Sequence, residues 1–292
     1  MTFVVAGATG HVGRAVVAAL AAQGQSVRAV VRSAHADVPA GVSAVVGDLD
    51  QPESLAAALA GAAGAFFLPG YADMPGLLSV ARAAGVGRVV QLSGLSAGSH
   101  DSTNYVTAFM ERSEAAVMQG GLPWTIVRPA AFMSNCLRWA PQLAAGDTVL
   151  LPFPDVANAM THPADIAAVV VAALTGAGHH GQIYRLSGPA ALTPADQVRI
   201  VGEVLGRRLR YAVQSDACAW AEMTATLPRP VVEATFDFYA AGSLDDSVLY
   251  PTVERVTGAP PRRLQDWVAA NRAAFPAVTA PSKTVDADVR AP

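Results

Sequence analysis

Lysine is almost missing from this chain of 292 residues. Of its 20 basic residues 19 are arginines, and the single lysine, Lys283, stands in Ala280-Pro281-Ser282-Lys283-Thr284. That stretch is polar and punctuated by proline, and residues 276–292 read as a disordered tail. The body before it contains no ammonium side chain. Cysteine is nearly as scarce: Cys136 and Cys218 make no disulfide framework and read as free thiols. Charged residues are only 15% of the chain and the net charge is −3. With no basic stripe, that balance argues against nucleic acid or an anionic membrane surface as a partner. No apolar run approaches the ~20 residues of a membrane span, and no basic region opens the chain as in a signal peptide. A cytoplasmic, soluble protein is the expectation. Metal-ligand spacing is also missing, since His179-His180 stand in a glycine-rich loop without partners. So are a nucleophile elbow and a Ser-His-Asp ordering.

What is present is apolar: 52% of residues are hydrophobic, enough for one large domain or two sharing a core. The most informative stretch comes first. Thr2-Phe3-Val4-Val5-Ala6 reads as a buried strand, and Arg14 to Gln23 as a helix stopped by Gly24. Between them lies Gly7-Ala8-Thr9-Gly10-His11-Val12-Gly13. Glycines at such a turn let the backbone approach a pyrophosphate, and the N–H groups of the following helix point at the anion. The spacing is G-x-x-G-x-x-G rather than G-x-G-x-x-G. Its place between strand and helix makes it a dinucleotide site, with Gly7, Thr9, Gly10, His11, Val12 and Gly13 as the cradle.

The second strand, Ser26 to Arg32, ends on an arginine. An acidic residue there would hydrogen-bond a ribose 2′-hydroxyl, whereas arginine accommodates a 2′-phosphate. Arg32, with Arg14 as a second candidate, therefore favours NADP(H) over NAD(H). Strand Ser43-Ala44-Val45-Val46 leads into Gly47-Asp48-Leu49-Asp50, where Asp48 is placed to accept from an adenine amino group. Further strands are expected at Gly64–Leu68, broken by Pro69-Gly70, at Arg88–Ser93 and at Leu122–Pro129. Helices are expected at Glu53–Leu59, near Met74–Ala84 and at Asn104–Gln119. This alternation argues for an α/β fold, a Rossmann-type doubly wound parallel sheet. Beyond it, elements shorten and prolines multiply. A helix at Ile166–Leu174 and a strand at Gln182–Leu186 are expected to return to the sheet. Helices near 194–205, 216–226, 230–241 and 262–271 would form a smaller, mostly helical C-terminal substrate lobe. The expected division is 1–134 for the dinucleotide-binding domain and 135–275 for the lobe.

The glycine turn, Gly47-Asp48-Leu49, Val90-Gln91-Leu92-Ser93, Glu114 and Trp124-Thr125-Ile126-Val127-Arg128-Pro129 together resemble the NmrA-like branch of the atypical short-chain dehydrogenases. So do Phe132-Met133-Ser134-Asn135, Asp165-Ile166-Ala167 and Tyr184-Arg185-Leu186-Ser187-Gly188-Pro189. The resemblance spans roughly residues 2–275. It implies a dinucleotide lying from Gly7 past Leu68 and Pro69 to Ser93, with its nicotinamide near Pro129, Ala130 and Phe132. The branch includes NAD(P)H:quinone oxidoreductases, reductases of aromatic compounds, and proteins that only sense NADP(H).

Short-chain dehydrogenases commonly use a Tyr-x-x-x-Lys pair to protonate the carbonyl being reduced. Here Phe109 follows Tyr105 by four residues, and Met110 stands where relatives with the lysine carry it. With no other lysine in the body, that mechanism is excluded. Tyr105 remains as an unassisted acid or an ordinary helix-start tyrosine. Ser93 reads equally as a nicotinamide-wall hydroxyl and a strand-end cap, and His162 as an acid–base group or part of a Thr-His-Pro turn. Glu111 and Glu114 would face solvent or pair with arginine. Phe67, Tyr71, Met133, Trp139 and Phe153 are aromatic or soft pocket candidates, and together they suggest a flat apolar substrate. The expected function is NADPH-dependent hydride transfer to a quinone-like or other conjugated aromatic compound, with protons from water or Tyr105. The alternatives are a non-catalytic NADP(H) sensor acting through a protein partner and a redox-neutral epimerase or cyclase. A homodimer is the assembly considered.

Overall fold

The computed structural model describes residues 1–277 apart from Ala34 and Ala40, so the expected tail lies outside the described residues from 278 on. The nine strands among the described residues are β1 Thr2–Val5, β2 Ser26–Val31, β3 Ser43–Val46, β4 Gly64–Phe67, β5 Val89–Leu92, β6 Trp124–Pro129, β7 Thr148–Leu151, β8 Gln182–Leu186 and β9 Arg210–Val213. Seven of them form one parallel sheet in the order β3-β2-β1-β4-β5-β6-β8. β4 and β5 are buried along their whole length, as strands covered on both faces must be.

The helices are α1 His11–Ala22, α2 Ala56–Leu59, α3 Met74–Ala83, α4 Tyr105–Gln119, α5 Ala140–Ala145, α6 Pro163–Thr175, α7 Pro194–Leu205, α8 Asp216–Thr224, α9 Arg229–Tyr239, α10 Thr252–Thr257 and α11 Leu264–Ala270. On one face of the sheet α1 and α6 pack Val12, Val16, Val17 and Leu20 with Ile166, Val169 and Val170 over Phe3, Val5, Phe66 and Val90. On the other face α3 and α4 lay Leu77, Leu78 and Val117 over Val4, Ala65, Phe67 and Val89. α6 and β8 return to the sheet. α5, α7 and α11 gather around a separate core that includes Cys136, Trp139, Leu143, Val198 and Trp267.

Three local differences from the sequence reading have physical reasons. α1 begins at His11 rather than Arg14, because Gly10 is an extended N-cap and Gly13 already packs inside the first turn. The expected helix 53–59 is a 3₁₀ turn over Pro52–Leu55 followed by α2. The lobe also holds a two-stranded parallel sheet, β7 with β9. Leu150 and Val213 are exposed on it, so neither short strand shows an inside–outside alternation.

α4 is fastened at both ends of its inner face. Glu114, expected in solvent or paired with arginine, is buried and paired. Its carboxylate accepts from Arg128 Nε at 2.8 Å and Nη2 at 2.5 Å, and from Ser93 Oγ at 2.5 Å. At the helix start the Asn104 side chain accepts from the Val106 and Thr107 N–H groups. Its amide donates to Ala234 O and Asp237 Oδ2 on α9, at 3.2 and 2.8 Å. Glu114→Ala would leave the Arg128 guanidinium buried without its counter-charge, which costs about 3–5 kcal/mol. Urea denaturation should show that loss; a change below about 1 kcal/mol would mean that the pair does not fasten α4.

Candidate active site

The glycine turn is built for close approach. Gly7 has a left-handed backbone (φ +63°), and a Cβ there would lie 2.6 Å from Leu68 Cδ1. A Cβ on Gly13 would lie 2.1 Å from the Gly7 carbonyl oxygen. No side chain caps α1, and its first turn has no acidic residue. Thr9, Gly10 and His11 are exposed there, while Val12 and Gly13 are buried behind them. The turn sits where the winding reverses, with β2 on one side of β1 and β4 on the other. That is where open α/β sheets bind ligands, and the uncapped helix end suits a pyrophosphate.

At the end of β2, Arg32 is exposed and has no hydrogen-bond or ion-pair partner among the described residues. Arg14 pairs with Asp37 at 3.3 Å on the surface. The Asp48 carboxylate accepts from the Asp50 N–H at 3.0 Å and Gln51 Nε2 at 3.1 Å, and Leu49 packs at the edge of the α3-side core. At the end of β4 come Leu68, Pro69 and Gly70. The Gly70 N–H donates to Ser113 Oγ at 2.8 Å, and a Cβ on Gly70 would lie 1.7 Å from the Phe109 ring. Gly70 also has a left-handed backbone (φ +84°), so this close seat for Phe109 requires glycine twice over. Met110 reaches towards Gly94, just past Ser93. Pro129 and Ala130 are buried at the end of β6, and Phe132 is joined to Thr161 by a backbone bridge. The C-terminal ends of β1, β4, β5 and β6 thus form one groove edge.

Beside it opens a cavity of about 620 Å³ between segment 131–139, β7, α8 and α9. Ala131 lies on its wall, directly next to Ala130 and Phe132. Trp139, Leu151, Phe153, Met160 and Met223 make it apolar, and Arg138, Asn158 and Tyr239 give it polar points. Phe153 has φ +57°, strained for a bulky side chain, and its ring packs on Phe236 and Tyr239 at centroid distances of 5.2 and 5.7 Å. Of the sequence candidates, Trp139 and Phe153 line this cavity. Met133 is buried in the lobe core beneath, Phe67 lies inside the sheet, and Tyr71 packs beside the α3-side core. Burial pushes the Tyr71 phenol well above its ordinary range.

The three catalytic candidates are not gathered in the cavity. Tyr105 opens α4, is 47% exposed and has no hydrogen-bond partner among the described residues. Ser93 donates its hydroxyl proton to Glu114. His162 is buried, and its Nδ1 accepts from the Ala164 N–H at 2.9 Å as the N-cap of α6. Burial lowers its pKa, partly offset by the charge of Asp165. The group on the cavity wall that the sequence did not mark is Tyr239. Its hydroxyl donates to Asp246 Oδ2 at 3.1 Å. No spacing rule relates a helix-end tyrosine to a loop aspartate, so only folding brings them together. No group of His, Cys, Asp and Glu among the described residues could hold a metal ion, and no helix among them is long and apolar enough to cross a membrane.

Sheet order and glycine turn define a protein of the Rossmann type. A family model described as NAD(P)H-binding matches residues 7–177. The chain is 38% identical over 279 residues to the (4-alkanoyl-5-oxo-2,5-dihydrofuran-3-yl)methyl phosphate reductase of Streptomyces griseus subsp. griseus, covering 93% of this chain and 98% of that protein. It is 32% identical over 287 residues to the NAD(P)H azoreductase of Xenophilus azovorans, with the same coverages. The fold superposes with TM-score 0.75 on the Escherichia coli NADPH-dependent quinone oxidoreductase solved with NADPH, at 23% identity, covering 93% of this chain and 100% of that one. The chain belongs to the NAD(P)H-binding family and is an oxidoreductase using a nicotinamide cofactor.

Gly13→Ala puts a methyl group into the Gly7 carbonyl. Fluorescence titration should show NADPH affinity reduced about tenfold or more; an unchanged affinity would remove the turn from the site.

Proposed function

We propose that this chain is an NADPH-dependent reductase that delivers hydride to a conjugated, electrophilic small molecule bound in the cavity beside Ala131. The substrate class is quinone-like or otherwise aromatic, or an unsaturated lactone conjugated to an acyl group. One observation carries the reading: Ala131 belongs both to the cavity wall and to the segment Pro129–Phe132 at the sheet end. A flat apolar ligand in the cavity therefore lies against the place where the nicotinamide is expected. The names of the two curated relatives support the class, since one describes an alkanoyl-substituted unsaturated lactone and the other an azo compound.

Gly7, Thr9, Gly10, His11, Val12 and Gly13 would hold the pyrophosphate. Arg32, assisted by Arg14, would hold the 2′-phosphate that distinguishes NADPH, and Asp48 and Leu49 would border the adenine. Leu68 and Pro69 would line the middle of the groove, and Ser93, Pro129, Ala130 and Phe132 the nicotinamide end. When bound, the cofactor supplies a hydride equivalent. The chain's own task is to bring a planar acceptor to near-attack distance and exclude water, which Trp139 and Phe153 are shaped to do. Phe109 and Met110 occupy the positions where a lysine would stand, so no tyrosine–lysine pair protonates the acceptor. Arg138 on the cavity wall has no ion-pair partner among the described residues and would meet an anionic substituent.

NADPH oxidation should be stimulated by at least one of menadione, an azo dye and an acyl unsaturated lactone; no stimulation by any of them would overturn the reading. Arg32→Asp should weaken NADPH about tenfold or more while leaving NADH within about threefold. Equal losses would contradict the cofactor assignment. Tyr105→Phe should keep menadione turnover within a few-fold, and a loss near 10²-fold would make that phenol the acid.

A further inference from the structure

The aspartate behind the cavity has no role in the account so far. Asp246 is 4% exposed, and its Oδ1 has no hydrogen-bond partner among the described residues. Its Oδ2 meets the hydroxyl of Tyr239, whose ring forms part of the cavity wall. Burial raises the Asp246 pKa above the ordinary carboxylate range, and the charge of neighbouring Asp245 adds to this. The Tyr239 contact and the nearby Ala131 N–H oppose the rise. Tyr239 is pushed far above its own ordinary value, mainly by burial and then by Asp246, against the opposing charge of Arg138.

A tyrosine so raised is a poor acid by itself. Asp246 is almost fully buried, with one oxygen unmet and no cation paired with it among the described residues, which favours its neutral form; a neutral carboxyl beside the phenol changes the chemistry. The neutral pair holds two protons and shares one O···O contact, so one proton is uncommitted. When the neutral carboxyl donates to the phenol oxygen, reversing the contact that Tyr239 makes in the structure, the Tyr239 O–H is free to donate elsewhere.

We propose that Tyr239 is the proton donor of the cavity and that Asp246 is its positioning residue and proton reserve. This rests on the reductase reading above. Hydride addition to the β-carbon of an unsaturated lactone leaves an electron pair on the acyl enolate. The Tyr239 O–H breaks as that pair forms a new C–H bond at the α-carbon. The Asp246 O–H breaks as the tyrosine O–H re-forms. The resulting carboxylate, met by the Tyr239 hydroxyl, takes a proton from water after the product leaves.

The test compares two acceptors in one protein. Tyr239→Phe should lower kcat for an acyl unsaturated lactone about 10²-fold, at least about tenfold more than it lowers kcat for menadione, which needs less acid assistance. KM for NADPH should not move. In the wild type, kcat for the lactone should fall as pH rises through the Asp246 pKa, and Asp246→Asn should abolish that limb. Infrared difference spectroscopy of the protein without cofactor gives a second readout. A neutral carboxylic acid band should persist above the pH at which ordinary carboxyls ionise and be missing in Asp246→Asn. Equal losses on both acceptors, or an Asp246 already ionised in mildly acidic solution, would overturn the proposal. If the wild type turns over neither acceptor the reductase reading fails, and the infrared band still decides the protonation of Asp246.

Discussion

The buried pair of Arg128 and Glu114 is the constraint on which the active-site side of the molecule depends. Two charges removed from water are tolerable only with good geometry and further hydrogen bonds, and here both are present. The guanidinium meets the carboxylate through two nitrogens, and Ser93 fills one remaining lone pair. Because Arg128 is on β6, Ser93 follows β5 and Glu114 is on α4, the pair fixes the helix against two strand ends at once. α4 in turn sets Phe109 against Gly70 and, through Asn104, takes hold of α9. α9 ends with Tyr239 on the cavity wall. One ion pair in the sheet layer therefore reaches the substrate lobe through a single helix.

The other requirement is closeness. Gly7, Gly13 and Leu68 are packed so that a methyl group on either glycine collides with backbone or side chain. This leaves α1 starting flush with the sheet edge, with an uncapped end towards the groove. The cavity lies at the far end of the same edge, beyond Pro129. Its walls are supplied by the lobe, whose core is separate from the two cores of the sheet. In the proposed reading, cofactor and substrate recognition fall to different packing units that meet at Ala131.

The centre of the sheet was legible because its inner strands β1, β4 and β5 are covered on both faces and are punctuated by glycine and proline. Phe3–Val5, Ala65–Phe67 and Val89–Val90 are continuous apolar runs, and a run of that kind with an intervening helix has few other solutions. The lobe was legible only as helices. β7 and β9 lie far apart in sequence and are half exposed, so neither carries a pattern until they pair. Glu114 read equally as a solvent charge and an arginine partner, because which face of α4 is buried depends on β6. The Tyr239–Asp246 contact was not legible, since no local rule joins the end of α9 to the loop after it. His162 shows the converse. A histidine before a proline suggests chemistry as readily as a turn, and its ring nitrogen proves to be occupied by a helix N–H.

Direct hydride transfer in a cavity that meets the dinucleotide groove at Ala131 is the central claim. It is tested most directly with NADPH carrying deuterium at the transferable position of its nicotinamide and an acyl unsaturated lactone as acceptor. After turnover, mass spectrometry and NMR of the reduced lactone should find one deuterium on the carbon β to the carbonyl, with solvent hydrogen at the α-carbon. A reduced lactone without deuterium, or label spread between both carbons, would contradict it.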